Sequence, residues 1–382
     1  MPPTKRIAAT HTATSSGKHH PVFTSGRLPP GDDDTYNKVP GRKGVVEKVS
    51  ITGTAVAFVT MSRTRPPNRA GATSFTGHLT ITGVYTTPPG PIDLPAAIPQ
   101  LAPLARTAIR LHPRRGTPTA EQSSMGGPLL WPADEPWPMC DGPRGYDHLD
   151  GWPGEAEAPL VPVLQLYATD VPQLPFPAGA DLLQVLWCPF DHEPWSSPRP
   201  QLRWRRSADI TDPRRLMPPP DTEAEPDHVP DPCVLAPEPV TEYPTFDLPQ
   251  AVWAQVRDQV AQIRQDTGWQ YESDLAVAPG TKVGGYPGWT QSPDWPDCAC
   301  GAPMEHLLTV ASWEFDRGDD KRWITREDRP AMAGWAPDGP AEHPWLAIRN
   351  AAGLMLGDVG GIYLFVCTAC PARPFDYRFD CC

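Results

Sequence analysis

The chain has 382 residues, of which 39% are hydrophobic, and its 53 prolines and 31 glycines crowd the stretches between apolar runs. That length fits about two domains. The formal net charge is −12, with 11 Lys/Arg against 4 Asp/Glu in residues 1–90 and about −19 left on residues 91–382. An acidic body repels phosphate backbones, which argues against nucleic acid as a partner of the folded part. No run reaches the ~18 apolar residues of a membrane span, and the start lacks the basic-then-apolar pattern of a secretory leader. These readings predict a cytoplasmic protein without a membrane segment. Its nine cysteines are then reduced thiols or metal ligands rather than a disulfide framework.

Residues 1–91 are rich in Thr, Ser, Pro, Gly and Arg, with short β-like runs only at Ile51–Thr60 and His78–Tyr85. The composition predicts a disordered basic extension. From residue 92 the chain reads as α+β, in two tandem copies of a helix plus antiparallel-sheet motif: copy one over 92–206, a Pro-rich acidic linker over 207–245, and copy two over 246–382. The motif of copy one runs Met125-Gly126-Gly127, Trp137-Pro138, Cys140. That of copy two runs Val283-Gly284-Gly285, Trp295-Pro296, Cys298. Gly126 and Gly284, Trp137 and Trp295, and Cys140 and Cys298 are each 158 residues apart.

A helix is predicted before each motif. In copy two Val252, Val256, Val260 and Ile263 form a stripe at helical spacing. Asp247 is its expected cap, Pro249 suits the first turn and Gly268 the stop. In copy one the corresponding Leu94, Ile98, Ala102 and Ala105 are interrupted by Pro99 and Pro103. After each motif two β-branched and aromatic runs predict strands: Val161–Tyr167 and Leu182–Trp187 in copy one, His306–Ser312 and Gly361–Val366 in copy two. Cys188 and Cys367 each follow the second strand of their copy.

Taken in order, Ser124-Met125-Gly126-Gly127 with Trp131-Pro132 and Trp137-Pro138, Val163-Leu164-Gln165-Leu166 with Asp170-Val171-Pro172 and Leu174-Pro175, Lys282-Val283-Gly284-Gly285-Tyr286-Pro287 with Gln291, and Leu356-Gly357-Asp358-Val359-Gly360 resemble the YwqG-like family of bacterial proteins. The resemblance covers about residues 92–382. It implies a duplicated α+β fold rich in antiparallel sheet. It implies no activity and no catalytic residues, and the cysteines and the long extension depart from the simplest members.

The strongest chemical signal is Cys298-Ala299-Cys300-Gly301 with Cys367-Thr368-Ala369-Cys370. Structural zinc takes four soft ligands, commonly as two close pairs from separate loops, so these four cysteines are the expected ligands of a structural zinc. The Cys-x-Cys pair is one residue shorter than the common spacing. The alternatives are buried reduced thiols or redox use of Cys367 and Cys370. Copy one keeps Cys140 and Cys188, with His148, Asp191 and His192 nearby in sequence, and Cys140, Cys188 and His192 form a second, weaker candidate. The Gly-Gly turns lack the Lys-Ser/Thr of a phosphate loop and read as tight turns, as does the turn at Asp358. The tryptophans beside prolines (Trp131, Trp137, Trp152, Trp195, Trp295, Trp335, Trp345) read as core plugs before they read as a recognition groove.

No nucleophile elbow and no His-Glu-x-x-His is present. Function is therefore read first as a zinc-stapled protein-interaction module with a basic protein partner. An immunity or toxin-neutralising role is one form of it. The alternative is a metal-dependent or acid–base enzyme acting in the cleft between the copies.

Overall fold

A computed structural model describes residues 84–140, 158–214, 216–315, 322–332 and 344–381, together with the backbone of three strands nearer the N-terminus. The chain divides into two compact units, Met1–Val84 and Tyr85–Cys382. In the first, β1 (Ala8–Ala13), β2 (Val56–Thr64) and β3 (Thr73–Thr82) make an antiparallel sheet in the order β1-β3-β2. The rest of the expected disordered extension lies outside the described residues. The second unit starts seven residues before the expected boundary at residue 92. The reason is visible at Thr87, whose N–H and hydroxyl donate to the Glu238 carboxylate at 2.7 and 2.5 Å.

The second unit is α+β, with two six-stranded antiparallel sheets and accompanying helices. Its strands are β4 (Arg106–Arg110), β5 (Arg114–Arg115), β6 (Ser124–Met125), β7 (Val161–Tyr167), β8 (Leu182–His192), β9 (Ser197–Arg205), β10 (Cys233–Val234), β11 (Glu238–Glu242), β12 (Lys282–Gly284), β13 (Glu305–Ala311), β14 (Gly361–Val366) and β15 (Phe375–Asp380). The first sheet has the order β5-β10-β6-β7-β8-β9 and the second β11-β4-β12-β13-β14-β15. The orders match position for position. The ladders match residue for residue: Ser124 faces Gln165 and Gln165 faces Gln184, while Lys282 faces Thr309 and Thr309 faces Tyr363. Even the bulge recurs, between Pro162 and Leu164 in one sheet and His306 and Leu308 in the other.

The copies are not laid end to end, however. Residues 106–115 and 233–242 form one antiparallel ribbon, interrupted at 111–113 and 235–237 but in one register, with Glu242 opposite Arg106, Glu238 opposite Arg110, Val234 opposite Arg114 and Cys233 opposite Arg115. The ribbon enters the second sheet where Ala108–Arg110 pair with β12, and the first sheet where β10 pairs with β6. Each sheet thus takes the strand beside its Gly-Gly turn from the other half of the chain. The segment 207–245, expected as a surface linker, therefore contributes two strands. Its prolines hid them, because Pro is tolerated where a strand leaves one N–H unpaired.

Alternate residues of β7, β8, β13 and β14 point between the sheets, as the period of two requires. Val163, Leu164, Leu166, Leu183, Val185 and Trp187 meet Leu308, Val310, Ile362, Leu364 and Val366 there in the largest buried cluster. The expected cleft between the copies is thus filled with core. The helix before copy two, α2 (Gln250–Thr267), buries Val256 and Val260 and ends at Gly268, whose φ of 72° is the left-handed stop a glycine supplies. Asp247 does not cap it: Pro249 holds the cap position. The helix before copy one shrinks to α1 (Leu94–Ala97) and a 3-10 segment, Pro99–Leu104, because proline cannot donate inside an α-helix. Leu94, Ile98 and Leu101 pack with Val256 and Val260 in one cluster.

Candidate metal centres

Outward-facing residues of the two sheets build a second, smaller core on each. On the first sheet Trp131, Trp137, Cys140, Leu186, Cys188 and Phe190 cluster. On the second, Trp289, Trp295, Cys298, Phe365 and Cys367 do. Each cluster ends at a group of metal-ligating side chains.

In the second sheet the Cys298 N–H donates to Ala302 O at 2.8 Å and the Met304 N–H to Pro296 O at 3.0 Å. This closes a three-residue loop, 299–301, that carries Cys300, and Gly301 follows with a φ of 84°. Without a Cβ at that position the loop turns within three residues, and the Gly301 N–H reaches back to Cys298 O at 2.8 Å. The second pair sits where β14 ends. The Cys367 N–H donates to Pro374 O at 2.9 Å, and the turn before β15 brings Cys370 back. The four sulfurs lie within 4.8 Å of one another, with Cys298–Cys370 at 3.9 Å and Cys300–Cys367 at 3.7 Å. A tetrahedron with metal–sulfur bonds of ~2.3 Å has edges of roughly 3.8 Å, so the spacing fits zinc. Cys298 and Cys367 are buried, Cys300 is exposed and Cys370 is half-buried. The Ala302 amide and the neighbouring thiols hold Cys300 down at about 7, whereas hydrogen bonding to Cys300 and Cys367 pushes Cys370 up to about 12.

The first sheet repeats the frame. The Cys140 N–H donates to Ala158 O at 2.8 Å and the Leu160 N–H to Pro138 O at 3.0 Å. Cys188 occupies the register of Cys367, since Trp187 faces Pro200 as Val366 faces Phe375. β8 runs on beyond Cys188 and places His192 four residues later, with Nε2 3.4 Å from Cys140 Sγ. Cys140, Cys188 and His192 are all buried, and their ligand atoms lie within 4.8 Å of one another. His148, Trp152 and Trp335 lie outside the described residues. Trp131 and Trp137 are core side chains, and Trp195, Trp295 and Trp345 are half-buried.

Sequence reasoning missed the buried charges. Lys282 Nζ donates to Glu242 Oε1 at 2.7 Å with both side chains almost fully enclosed, and the Ala278 and Tyr286 N–H groups donate to the same carboxylate at 2.9 and 2.8 Å. Arg110 is buried on the ribbon and donates to Thr87 Oγ1, Trp323 O and Glu314 O. At the ribbon's centre His112 donates from Nε2 to Glu238 at 2.9 Å. Burial and the nearby Arg110 push its pKa down to about 3, so the ring is neutral. Their positions in charged, Pro-containing runs gave no sign that they would be enclosed.

The outer faces differ in one respect. Where the first sheet carries Tyr167 and Leu182, the second carries Ala311 and Gly361. A cavity of about 270 Å³ opens there, lined among others by Lys282, Trp289, Thr309, Ala311, Gly361 and Tyr363. In the first sheet a closed network occupies the equivalent face: Gln184 Nε2 donates to Gln165 Oε1 at 2.9 Å and to Leu130 O at 2.8 Å. No described helix is long and apolar enough to cross a membrane. Compared with known proteins, the chain matches no family model and no curated protein.

Proposed function

We propose that the chain is a YwqG-like, zinc-stapled interaction module, with structural zinc held by Cys298, Cys300, Cys367 and Cys370 and a basic protein as its partner. The observation that carries this reading is the convergence of two cysteine pairs, from loops 67 residues apart in sequence at Cys300 and Cys367, on one tetrahedron-sized group. Four thiolates fill a zinc ion's first shell and leave no position for water or substrate, which favours a staple over a catalytic centre. The metal would tie the Cys298 loop to the end of β14, and its binding energy would add to folding stability. The partner's basic character follows from the charge of about −19 on residues 91–382. The YwqG-like assignment rests on the order of the motifs in the sequence.

Metal analysis of the purified chain, together with the variant Cys367→Ser, tests the staple. The zinc of the four-cysteine group should be lost and hydrogen exchange in β14 and β15 accelerated in the variant. Full stability of zinc-free protein in a chelator would refute it. The partner reading is tested by salt: a captured partner should be basic and should release as ionic strength rises. An acidic partner, or one indifferent to salt, would refute that part.

A further inference from the structure

We infer that Cys140, Cys188 and His192 form a second metal centre, a thiolate–imidazole zinc site distinct from the four-cysteine cluster. The strand registers and the two backbone hydrogen bonds at Cys140 put Cys140 and Cys188 at the positions that Cys298 and Cys367 hold in the other sheet. The third ligand arrives by a different route. In the second sheet a turn after Cys367 returns Cys370. In the first, β8 itself continues past a register shift between Cys188 and His192, and so swings the imidazole onto Cys140.

Three soft or borderline donors enclosed together, each no more than 8% exposed, suit Zn²⁺, which accepts thiolate and imidazole in the same shell. The 3.4 Å between Cys140 Sγ and His192 Nε2 is close to the edge of roughly 3.6 Å expected between a sulfur and a nitrogen on one tetrahedral zinc. A buried cysteine kept only for packing needs no histidine nitrogen at its sulfur. Two such cysteines and a histidine gathered where the other copy gathers four cysteines point to a ligand set.

The two sites differ in how their ligands are connected. Cys298 and Cys300 share a loop closed by the hydrogen bond from Cys298 to Ala302, whereas the corresponding bond in the first sheet joins Cys140 to Ala158. The four-cysteine group draws two close pairs of ligands, whereas among the described residues the first-sheet group has three ligands and one close pair, Cys188 and His192. The first-sheet metal therefore leaves first when a chelator is titrated in.

The test counts metal in the full chain. Zinc-loaded wild type should hold two equivalents. Cys188→Ser and His192→Gln should each hold one, as should Cys367→Ser, and Cys188→Ser with Cys367→Ser none. Circular dichroism establishes that each variant is folded. His192→Gln changes no cysteine, so it serves should the serine variant not fold. X-ray absorption on zinc-loaded Cys367→Ser should show a mixed sulfur–nitrogen shell, and on His192→Gln a shell of sulfur alone. One equivalent in wild type, unchanged by His192→Gln and Cys188→Ser, would overturn this site and leave the four-cysteine reading intact. One equivalent unchanged by Cys367→Ser would overturn the four-cysteine reading instead.

Discussion

Replacing Glu242 by Gln probes the internal charge that fastens the ribbon to the second sheet. The carboxylate accepts three hydrogen bonds, from Lys282 Nζ at 2.7 Å, Ala278 N at 2.9 Å and Tyr286 N at 2.8 Å. Both charged side chains are at most 1% exposed. Glutamine keeps the shape and one acceptor oxygen but strands the ammonium without a counter-ion. Removing one partner of a buried pair costs about 3–5 kcal/mol, a large part of the ~5–15 kcal/mol that holds a typical domain together. Urea unfolding followed by far-UV circular dichroism should show that loss in Glu242→Gln. Glu242→Gln combined with Lys282→Met should lose less than the sum of the single variants, by about 1–3 kcal/mol. Raising the pH supplies an independent check. Burial depresses the Lys282 pKa, so in the window below the ordinary lysine value the unfolded chain binds the proton that the folded chain gives up, and stability rises with pH there. The deficit of Glu242→Gln should therefore narrow toward pH ~10. A loss below about 1 kcal/mol, or a deficit that does not change with pH, would refute the reasoning.

Asp247 is pushed up to about 6 by burial. The folded chain then holds the proton more tightly than the unfolded one, so stability falls as pH rises from about 4 to 6. Asp247→Asn should gain up to about 3 kcal/mol at pH 7 and nothing near pH 4, measured by thermal unfolding at both values. Gly126→Ala should cost more than Gly284→Ala. Both have positive φ, but the new Cβ would lie 2.4 Å from Pro230 O at the first and 3.3 Å from Thr107 O at the second; equal losses in urea would count against the asymmetry. Residues 85–206 made alone lack β10, and should unfold without a cooperative transition until co-expressed with residues 207–382. A cooperative fragment would contradict the shared ribbon. In a chelator titration of the zinc-loaded chain, release should come in two phases, with His192→Gln abolishing the faster one.

The central strands could be read from sequence because both their faces are apolar. Val161–Tyr167 and Gly361–Val366 have the expected bounds, and β8 overruns its expected end by five residues, to His192. The cysteine groups were legible because ligand spacing is local, within Cys298–Cys300, Cys367–Cys370 and Cys188–His192, and because the 158-residue offset pairs Cys140 with Cys298. The ribbon was not. Arg106, Arg110, Arg114 and Arg115 alternate with few apolar residues, and Pro239 interrupts its partner strand. Those strands are held by pairing across the chain and by buried charges, which carry no periodicity. The edge strand β9 was hidden by Pro198 and Pro200, tolerated there because no further strand lies beyond it among the described residues. Asp247 was read as a cap because Asp before Pro commonly starts a helix, yet the helix begins beyond its reach.

The ribbon also bears on how such a molecule arises. One repeat by itself leaves a gap beside its Gly-Gly turn that only a second repeat can fill, and the exchange is reciprocal. The smallest self-sufficient form of the motif is thus a strand-swapped homodimer with two-fold symmetry, whose folding depends on protomer concentration. Joining the end of one protomer to the start of the next makes the exchange intramolecular and fixes the partner's effective concentration by the connecting chain. Once fused, the halves are free to diverge. One outer face packs with Tyr167 and Leu182 while the other hollows at Ala311 and Gly361, and one candidate ligand set offers histidine where the other offers cysteine, a division that a dimer of identical chains cannot make.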